Sequence, residues 1–350
     1  MFDPALDALM LPFASRQLAW PEAGALFLRA RTGAALHAHA PRTLVCEQSF
    51  RPEHDALQRA GFPTRAAGSD AFPLVLLLPP RQREEARALL AKACMAVAPG
   101  GIVVAAVAND EGAKSREADL GRLAGPPNVA SKHHSRVFWT RPGADFDADA
   151  IAGWKDADAP RLQRSAEVPG GAFRTRPGVF AWDRVDAASR MLSDALPRDL
   201  RGRVADFGAG WGYLSMQVLA RCPQVASLDL YEADARALAL ADDNLAGMAD
   251  PDRPVAVRCH WHDVSRGVAE RFDAIVCNPP FHALGRGERP DLGRAFIAAA
   301  ADALKPGGRL WLVANRHLPY EQALGDGFAQ VRTVAQDGGF KIVDATRAVR

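Results

Sequence analysis

The feature that most constrains the fold is a long pattern of strand and turn signals that occurs twice in the chain. Phe72–Pro80 is an apolar run ending in Pro-Pro, and Pro-Gly-Gly and a second apolar run ending at Val107–Asn109 follow it. Phe272–Pro280 is followed by the same signals in the same order, up to Val313–Asn315. Pro-Pro and Pro-Gly-Gly are each ordinary loop punctuation. Because several of them share one order, the repeat favours an internal duplication over chance convergence.

Strand-like and helix-like segments alternate throughout the second half of the chain. The predicted strands are Val204–Phe207, Ala226–Tyr231, Val255–Cys259, Phe272–Cys277 and Arg309–Val313. The predicted helices are Leu214–Ala220, Asp234–Leu245 and Arg294–Leu304. This alternation indicates right-handed βαβ units and a parallel sheet with helices on both faces. Together with the duplication, it predicts an α/β protein made of two tandem, doubly wound, Rossmann-like domains.

The length and composition agree with two globular domains. The chain has 350 residues, of which 48% are hydrophobic and 24% charged, and this excludes a wholly disordered or disulfide-rich protein. We expect a first domain over residues 1–150, a linker rich in Asp, Ala, Gly and Pro over residues 151–170, and a second domain over residues 171–350. The first half lacks a Gly-x-Gly-x-Gly turn and has Leu78 where the second has Asn278, which predicts that the first copy is degenerate.

Charge, cysteines and hydropathy narrow the class of protein further. The formal net charge is only +2, so any nucleic-acid contact must come from a local basic patch. The five cysteines are widely spaced and form no Cys-x-x-Cys pair, as is typical of reduced thiols. Met1–Pro4 lacks the basic region of a signal peptide, and apolar stretches such as Leu74–Leu78 are too short to span a bilayer. These features predict a cytoplasmic protein.

The first chemical motif is the glycine-rich segment Asp206–Gly212, which follows a predicted strand and opens a predicted helix. Glycines let the backbone turn tightly and approach a ligand closely. Their spacing is Gly-x-Gly-x-Gly, which differs from the dinucleotide-binding and P-loop patterns. Glu232 ends the next predicted strand, where an acidic residue can accept hydrogen bonds from ribose hydroxyls. An ordinary glycine turn and a solvated loop carboxylate are the alternatives.

The second motif is Asn278-Pro279-Pro280-Phe281, at the carboxyl end of a predicted strand. The Asn278 amide oxygen and the Pro279 carbonyl are two uncharged acceptors that can converge on one amino group. They can orient the nitrogen lone pair and favour loss of a proton as a new bond forms. Phe281 offers a face on which a flat base can stack. The alternative is a Pro-Pro turn that only terminates the strand.

These motifs resemble those of class I S-adenosylmethionine-dependent methyltransferases that act on an exocyclic amine. Further segments are similar to the bacterial ribosomal RNA guanine-N2 methyltransferases, above all to the RsmC type, with the large-subunit RlmG type as its sister. These segments are Pro177–Phe180 with Asp186, Asn278–His282, Val313–Tyr320 and Gly339–Lys341. The resemblance is strong over about residues 170–348 and weaker before them. It implies two tandem methyltransferase-like domains, the first without cofactor.

The resemblance also implies which residues hold S-adenosylmethionine. The methionine part would be lined by the glycine turn, the ribose and adenine would meet the ends of the next two strands, and further residues would close the pocket. The residues implied are Asp206, Gly208, Gly210 and Gly212 for the methionine part, Glu232 for the ribose, Asp263 for the adenine, Phe180 and Asp186 for the closure, and Asn278 beside the methyl group. Trp211 departs from the family pattern because it is bulkier than the usual residue in this turn.

On this reading, Asn278, Pro279 and Phe281 are the catalytic residues, and the expected function is methylation of the N2 amine of a guanine in 16S ribosomal RNA. The alternatives are 23S ribosomal RNA, an adenine or protein amide, and a non-catalytic RNA-binding protein. Candidate RNA contacts share a positive charge, and a solvated surface is their alternative: Lys132, Arg136, Arg174, Arg176 and Arg316. No metal is expected, because Cys259, His260 and His262 lack a second ligand pair.

Overall fold

The computed structural model describes residues 3–280, 290–316 and 320–349, and the chain forms two compact units, Met1–Ala159 and Pro160–Arg350. The first unit has one seven-stranded sheet. Its strands are β1 (Leu26–Leu28), β2 (Val45–Glu47), β3 (Thr64–Arg65), β4 (Phe72–Leu77), β5 (Val97–Ala108), β6 (Asn128–Lys132) and β7 (Ser135–Trp139). Its helices are α1 (Pro4–Ala14), α2 (Ala34–His39), α3 (Arg51–Arg59), α4 (Arg83–Ala96), α5 (Ala113–Ala124) and α6 (Ala148–Trp154).

The second unit has a two-stranded sheet followed by a second seven-stranded sheet. Its strands are β8 (Arg161–Arg164), β9 (Ala172–Thr175), β10 (Arg201–Phe207), β11 (Gln224–Glu232), β12 (Ala256–Trp261), β13 (Phe272–Cys277), β14 (Leu304–Asn315), β15 (Gln330–Asp337) and β16 (Phe340–Thr346). Its helices are α7 (Ala187–Ala195), α8 (Tyr213–Arg221), α9 (Ala235–Ala246), α10 (Pro290–Ala303) and α11 (Glu321–Gly327).

The two large sheets have the same topology. Their orders are β3-β2-β1-β4-β5-β7-β6 and β12-β11-β10-β13-β14-β16-β15. In each sheet the first five strands in this order are parallel, and the last two pair antiparallel. The predicted α/β class with two tandem doubly wound domains is therefore confirmed, and the shared order is what an internal duplication predicts.

Helices cover both faces of the second sheet, which explains its continuous apolar strands. Leu228 and Leu230 of β11 lie in a core completed by residues of α7, α8 and α9. Phe207 and Tyr231 lie on the other face, in a core completed by residues of α10 and α11. The sheet is thus a rigid, buried platform whose strand ends can carry a site. Within the described residues, no helix is both long and apolar enough to cross a bilayer.

The structure differs from the sequence-based expectation at two places. Residues 151–170, expected as a linker, include the end of α6 and all of β8, and the boundary between the units falls at Ala159–Pro160. Pro306–Gly308, expected as a turn, lies inside β14 as an irregularity. The register of β13 with β14 jumps there from Leu304 to Arg309, because Gly307 has a left-handed φ of 75° that a regular strand does not allow.

Candidate active site

The predicted cofactor and catalytic residues gather at the carboxyl ends of four neighbouring parallel strands of the second unit. Asp206 and the glycine turn close β10, Glu232 ends β11, Asp263 follows β12 and Asn278 follows β13. In doubly wound sheets this edge is where ligands bind. Phe281, the predicted base-stacking residue, lies outside the residues that the structure describes.

The glycine turn connects β10 to α8 through three left-handed residues. Gly210 has a φ of 57°, and a Cβ added there would meet nothing within 4 Å. Gly212 has a φ of 95°, and a Cβ added there would lie 3.2 Å from the Cβ of Ala241. The turn is therefore closely packed against α9 at Gly212 and open at Gly210, which leaves room for a ligand beside the backbone.

Asp206 is completely buried beneath this turn. Its Oδ2 accepts a hydrogen bond of 2.7 Å from Ser215 Oγ, whereas its Oδ1 has no partner among the described residues. Burial raises the pKa of Asp206 to about 7, and the nearby Glu232 adds to this while Ser215 opposes it. A buried carboxylate oxygen without a partner is costly in isolation, so it indicates a place for a donor or a positive charge.

Asp206→Asn is expected to remove part of the pH dependence of stability. The pKa of Asp206 rises from 3.8 to about 7 on folding, so the folded state holds this proton more tightly. The stabilisation is therefore complete below the ordinary pKa and is lost as the pH rises toward 7. Between about pH 5.5 and about pH 8, the wild type should lose roughly 2 kcal/mol more unfolding free energy than the variant. Urea unfolding of both cofactor-free proteins measures this, and equal losses would contradict it.

Glu232 is joined to the glycine turn through the backbone. Its Oε2 accepts from the Gly210 amide and its Oε1 from the Asp234 amide, both at 2.8 Å. Burial raises the pKa of Glu232, and these two backbone hydrogen bonds act against that rise. Each carboxylate oxygen has a further lone pair, so the side chain is fixed in place and can still accept from two hydroxyl groups.

Asp263 caps the short 3-10 turn Val264–Arg266 that follows β12. Its Oδ1 accepts from the backbone amide and the hydroxyl of Ser265, at 3.0 and 2.6 Å. The structure thus gives this residue a local capping role at the strand end, and its contact with an adenine stays a prediction.

Asn278 is held by two side chains from the start of α7. Its Nδ2 donates to Asp186 Oδ2 at 3.0 Å and to Ser189 Oγ at 2.8 Å. Asp186 is also the N-cap of α7 and accepts from the Ser189 amide at 2.8 Å. Asp186, predicted as a residue that closes the cofactor pocket, therefore contacts the predicted catalytic amide directly. Sequence reasoning missed Ser189, although its spacing from Asp186 is typical of a capping pair.

Trp211 packs against the β8–β9 hairpin. Its ring stacks on Phe173 with the centroids 4.1 Å apart and an angle of 17° between the planes. Asn244 of α9 donates to the carbonyls of Trp211 and Arg174, and accepts from the Arg174 amide. The bulky residue in the turn therefore belongs to a contact between the hairpin and the turn. Phe180, the other predicted closing residue, has 66% of its surface exposed.

The five candidate RNA contacts fall into both units. Lys132 is exposed at the end of β6, and Arg136 is ion-paired with Glu117. Arg174 and Arg316 are exposed in the second unit, and Arg176 is half-buried. The role of these five residues in RNA binding stays a prediction.

The side chains weighed as metal ligands bind three separate partners. Cys259 Sγ donates to Asp242 at 3.6 Å, His260 Nε2 lies 2.9 Å from Asp229, and His262 Nε2 lies 2.7 Å from the Gly267 carbonyl. Among the residues that the structure describes, no three His, Cys, Asp or Glu side chains are grouped to hold a metal ion.

The corresponding positions of the first unit carry different residues. The last residue of β1 pairs with the last residue of β4, as the last residue of β10 pairs with that of β13. By this correspondence Phe27 stands in the place of Asp206, and Arg29 in the place of Gly208. Arg29 donates to the carbonyl of Leu78 at 3.3 Å. An aromatic ring thus replaces the carboxylate, and a long cation replaces the first glycine of the turn. Both changes support the prediction that this unit binds no cofactor.

The second unit, by contrast, fits a cofactor that has a positive charge and a ribose. The unpartnered oxygen of Asp206 is suited to a positive charge or a donor, and Glu232 is suited to hydroxyl groups. Space beside Gly210 admits a ligand next to the backbone. S-adenosylmethionine combines these features.

Comparison with known proteins decides the family. Residues 170–344 match the family model of the methyltransferase small domain. This chain belongs to the methyltransferase small domain family. The ribosomal RNA small subunit methyltransferase C of Klebsiella pneumoniae is 30% identical over 265 residues, covering 75% of this chain and 72% of that relative. The same enzyme of Psychromonas ingrahamii is 28% identical over 282 residues, covering 79% and 76%.

A solved structure is similar to this chain over almost its full length. The T. thermophilus 16S rRNA N2 methyltransferase (RsmC), in complex with AdoMet and guanosine, has a TM-score of 0.78 and 25% identity. The match covers 99% of this chain and 92% of that one. The predicted RsmC-type family, the enzyme class and the cofactor, S-adenosylmethionine, are thereby confirmed. The roles of the individual site residues remain predictions.

Proposed function

We propose that this chain transfers a methyl group from S-adenosylmethionine to the exocyclic N2 amine of a guanine in 16S ribosomal RNA. The observation that carries the proposal is Asn278, which stands at the end of β13 with both donor positions of its amide occupied by Asp186 and Ser189. Its Oδ1 has no hydrogen-bond partner among the described residues, so this oxygen is available as an acceptor. An exocyclic amine is the complementary donor.

The residues of this chain position the target amine and accept hydrogen bonds from it. Asn278 Oδ1 and the carbonyl of the buried Pro279 accept from the amine and direct its lone pair toward the methyl group. As the nitrogen–carbon bond to the methyl group forms and the carbon–sulfur bond breaks, positive charge would develop on the amine. The two acceptors would stabilise this charge until the proton is lost to water. Phe281 would stack on the base.

The cofactor is held by the ends of the neighbouring strands. Glu232 would accept from the ribose hydroxyls, and the turn from Asp206 through Gly212 would surround the methionine part. Asp263 would meet the adenine amino group. When bound, S-adenosylmethionine supplies an activated methyl group on a sulfonium ion.

The names of the relatives support a small-subunit target over the large-subunit and protein alternatives. A guanine amine in a duplex faces its partner base, so we propose that the target base is unstacked to reach Asn278. Ribosomal RNA as the partner agrees with a cytoplasmic location.

The test is methyl transfer from labelled cofactor to small ribosomal subunits, large subunits and protein-free ribosomal RNA, followed by nucleoside analysis. We expect label in N2-methylguanosine from small-subunit RNA. Label in large-subunit RNA, in methyladenosine or in protein would contradict the proposed target. Cofactor binding is measured in parallel, because loss of both binding and transfer would favour a non-catalytic RNA-binding protein.

A further inference from the structure

Three groups at the junction of β13 and α7 form one closed hydrogen-bond network. Asp186 Oδ2 accepts from Asn278 Nδ2 at 3.0 Å and from the Ser189 amide at 2.8 Å. Ser189 Oγ accepts from the same Asn278 nitrogen at 2.8 Å. Asp186 and Asn278 are 92 positions apart in the chain, so this contact is purely tertiary.

The network determines which way the Asn278 amide faces. A carboxylate can only accept hydrogen bonds, so the atom of Asn278 that faces Asp186 must be the nitrogen. The second hydrogen of that nitrogen is donated to Ser189 Oγ. Only the amide oxygen of Asn278 remains available to a target, and it can accept a hydrogen bond but cannot donate one.

The helix that carries Asp186 contributes to this orientation. Asp186 is the N-cap of α7, where exposed backbone amides and the helix dipole favour a negative charge. A negative charge on Asp186 strengthens the hydrogen bond that it accepts from Asn278 Nδ2.

We propose that Asp186, assisted by Ser189, is a positioning residue that locks the Asn278 amide with its oxygen toward the target and so restricts the site to donor amines. This inference rests on the proposed function and deepens it, because it assigns the selection of an amine to a contact outside the Asn-Pro-Pro motif. It also differs from a cofactor-binding role for Asp186.

The test removes the acceptor for Asn278 and keeps the helix cap. In Asp186→Ser the hydroxyl can still cap α7, because serine is a favoured N-cap residue, but its side chain is too short to accept from Asn278 as well. The Asn278 amide then loses the acceptor that fixes its nitrogen, and it can turn that nitrogen toward the target. Asp186→Asn is the conservative variant, because an amide oxygen in the place of Asp186 Oδ2 can accept both from Asn278 and from the Ser189 amide.

We expect Asp186→Ser to lower kcat by roughly 10- to 100-fold, with KM for RNA and the cofactor Kd within about twofold of the wild type. Asp186→Asn, which keeps the acceptor and the helix cap, should retain a kcat within about threefold of the wild type. Asp147→Ser, which changes the N-cap of α6 in the first unit, is the matched control and should leave kcat unchanged. An unchanged kcat in Asp186→Ser, a loss confined to cofactor affinity, or an Asp186→Asn variant as impaired as Asp186→Ser would overturn the proposal.

A second readout does not depend on activity. In protein labelled with ¹⁵N-asparagine, the Asn278 amide pair is assigned by its loss in Asn278→Ala. We expect slow hydrogen exchange of this pair in the wild type and at least about tenfold faster exchange in Asp186→Ala, since the acceptor is removed. Equal exchange in the two proteins would overturn the inference. If the wild type methylates no guanine but its Asn278 amide is protected, the proposed target fails while the positioning role stands.

Discussion

Asn278→Ala is expected to lower the turnover number for methyl transfer by roughly 100- to 1,000-fold while the cofactor Kd changes by no more than about twofold. The change removes the amide oxygen that accepts from the amine where charge develops, but leaves the glycine turn and Glu232 in place. Initial rates on small-subunit RNA and calorimetric titration with the cofactor measure the two quantities.

Asn128→Ala is the control for this change. Asn128 is exposed at the start of β6 in the first unit, so we expect its replacement to leave turnover and cofactor affinity as they are. Turnover of Asn278→Ala within about threefold of the wild type would show that the amide does not act on the reacting nitrogen.

Gly210→Leu is expected to weaken cofactor binding by about 100-fold or more, because the new side chain would enter the space that the cofactor is proposed to fill. A Cβ at this position meets nothing within 4 Å, so the new side chain starts in open space beside the turn. The backbone φ of 57° adds strain of roughly 1–2 kcal/mol. Affinity is measured by calorimetry and stability by thermal unfolding.

Gly143→Leu is the control, because it introduces a similar backbone strain at a position where no cofactor is expected to bind. Gly143 has a φ of 68° and open space beside it, and it lies in the first unit. We therefore expect a similar loss of stability in both variants but a loss of cofactor affinity in Gly210→Leu alone. If Gly210→Leu binds the cofactor normally, the open space beside the turn is not the binding site.

The strands and helices of the second unit are largely predictable from sequence, because buried parallel strands have continuous apolar sequences. Phe272–Cys277 was expected as a strand and forms β13 with the same bounds. Asp206–Gly212 is recognisable because the backbone needs left-handed residues at fixed spacing. Constraints of this kind act on residues that are close together in the chain, so they produce a pattern that can be recognised in the sequence.

Contacts between distant segments leave no such pattern. Asp186 can be linked to the site by family resemblance, but neither spacing nor composition indicates that its carboxylate binds Asn278. Asn244 likewise contacts Arg174 of β9, 70 positions away, and Trp211 of the glycine turn, 33 positions away. Whether Trp211 faces a ligand or packs on Phe173 depends on where the hairpin docks, which is a tertiary outcome.

The pairing between the Asn278 amide and the N2 amine of guanine is the central contact of the proposed reaction. The most direct test is a cycle of four binding measurements, in which wild type and Asn278→Ala are titrated with guanosine and with inosine, which lacks the N2 amine, in the presence of S-adenosylhomocysteine. We predict that the wild type prefers guanosine by roughly tenfold and that Asn278→Ala shows no preference, since the coupling energy of one hydrogen bond is lost. The same preference for guanosine in both proteins would contradict the account.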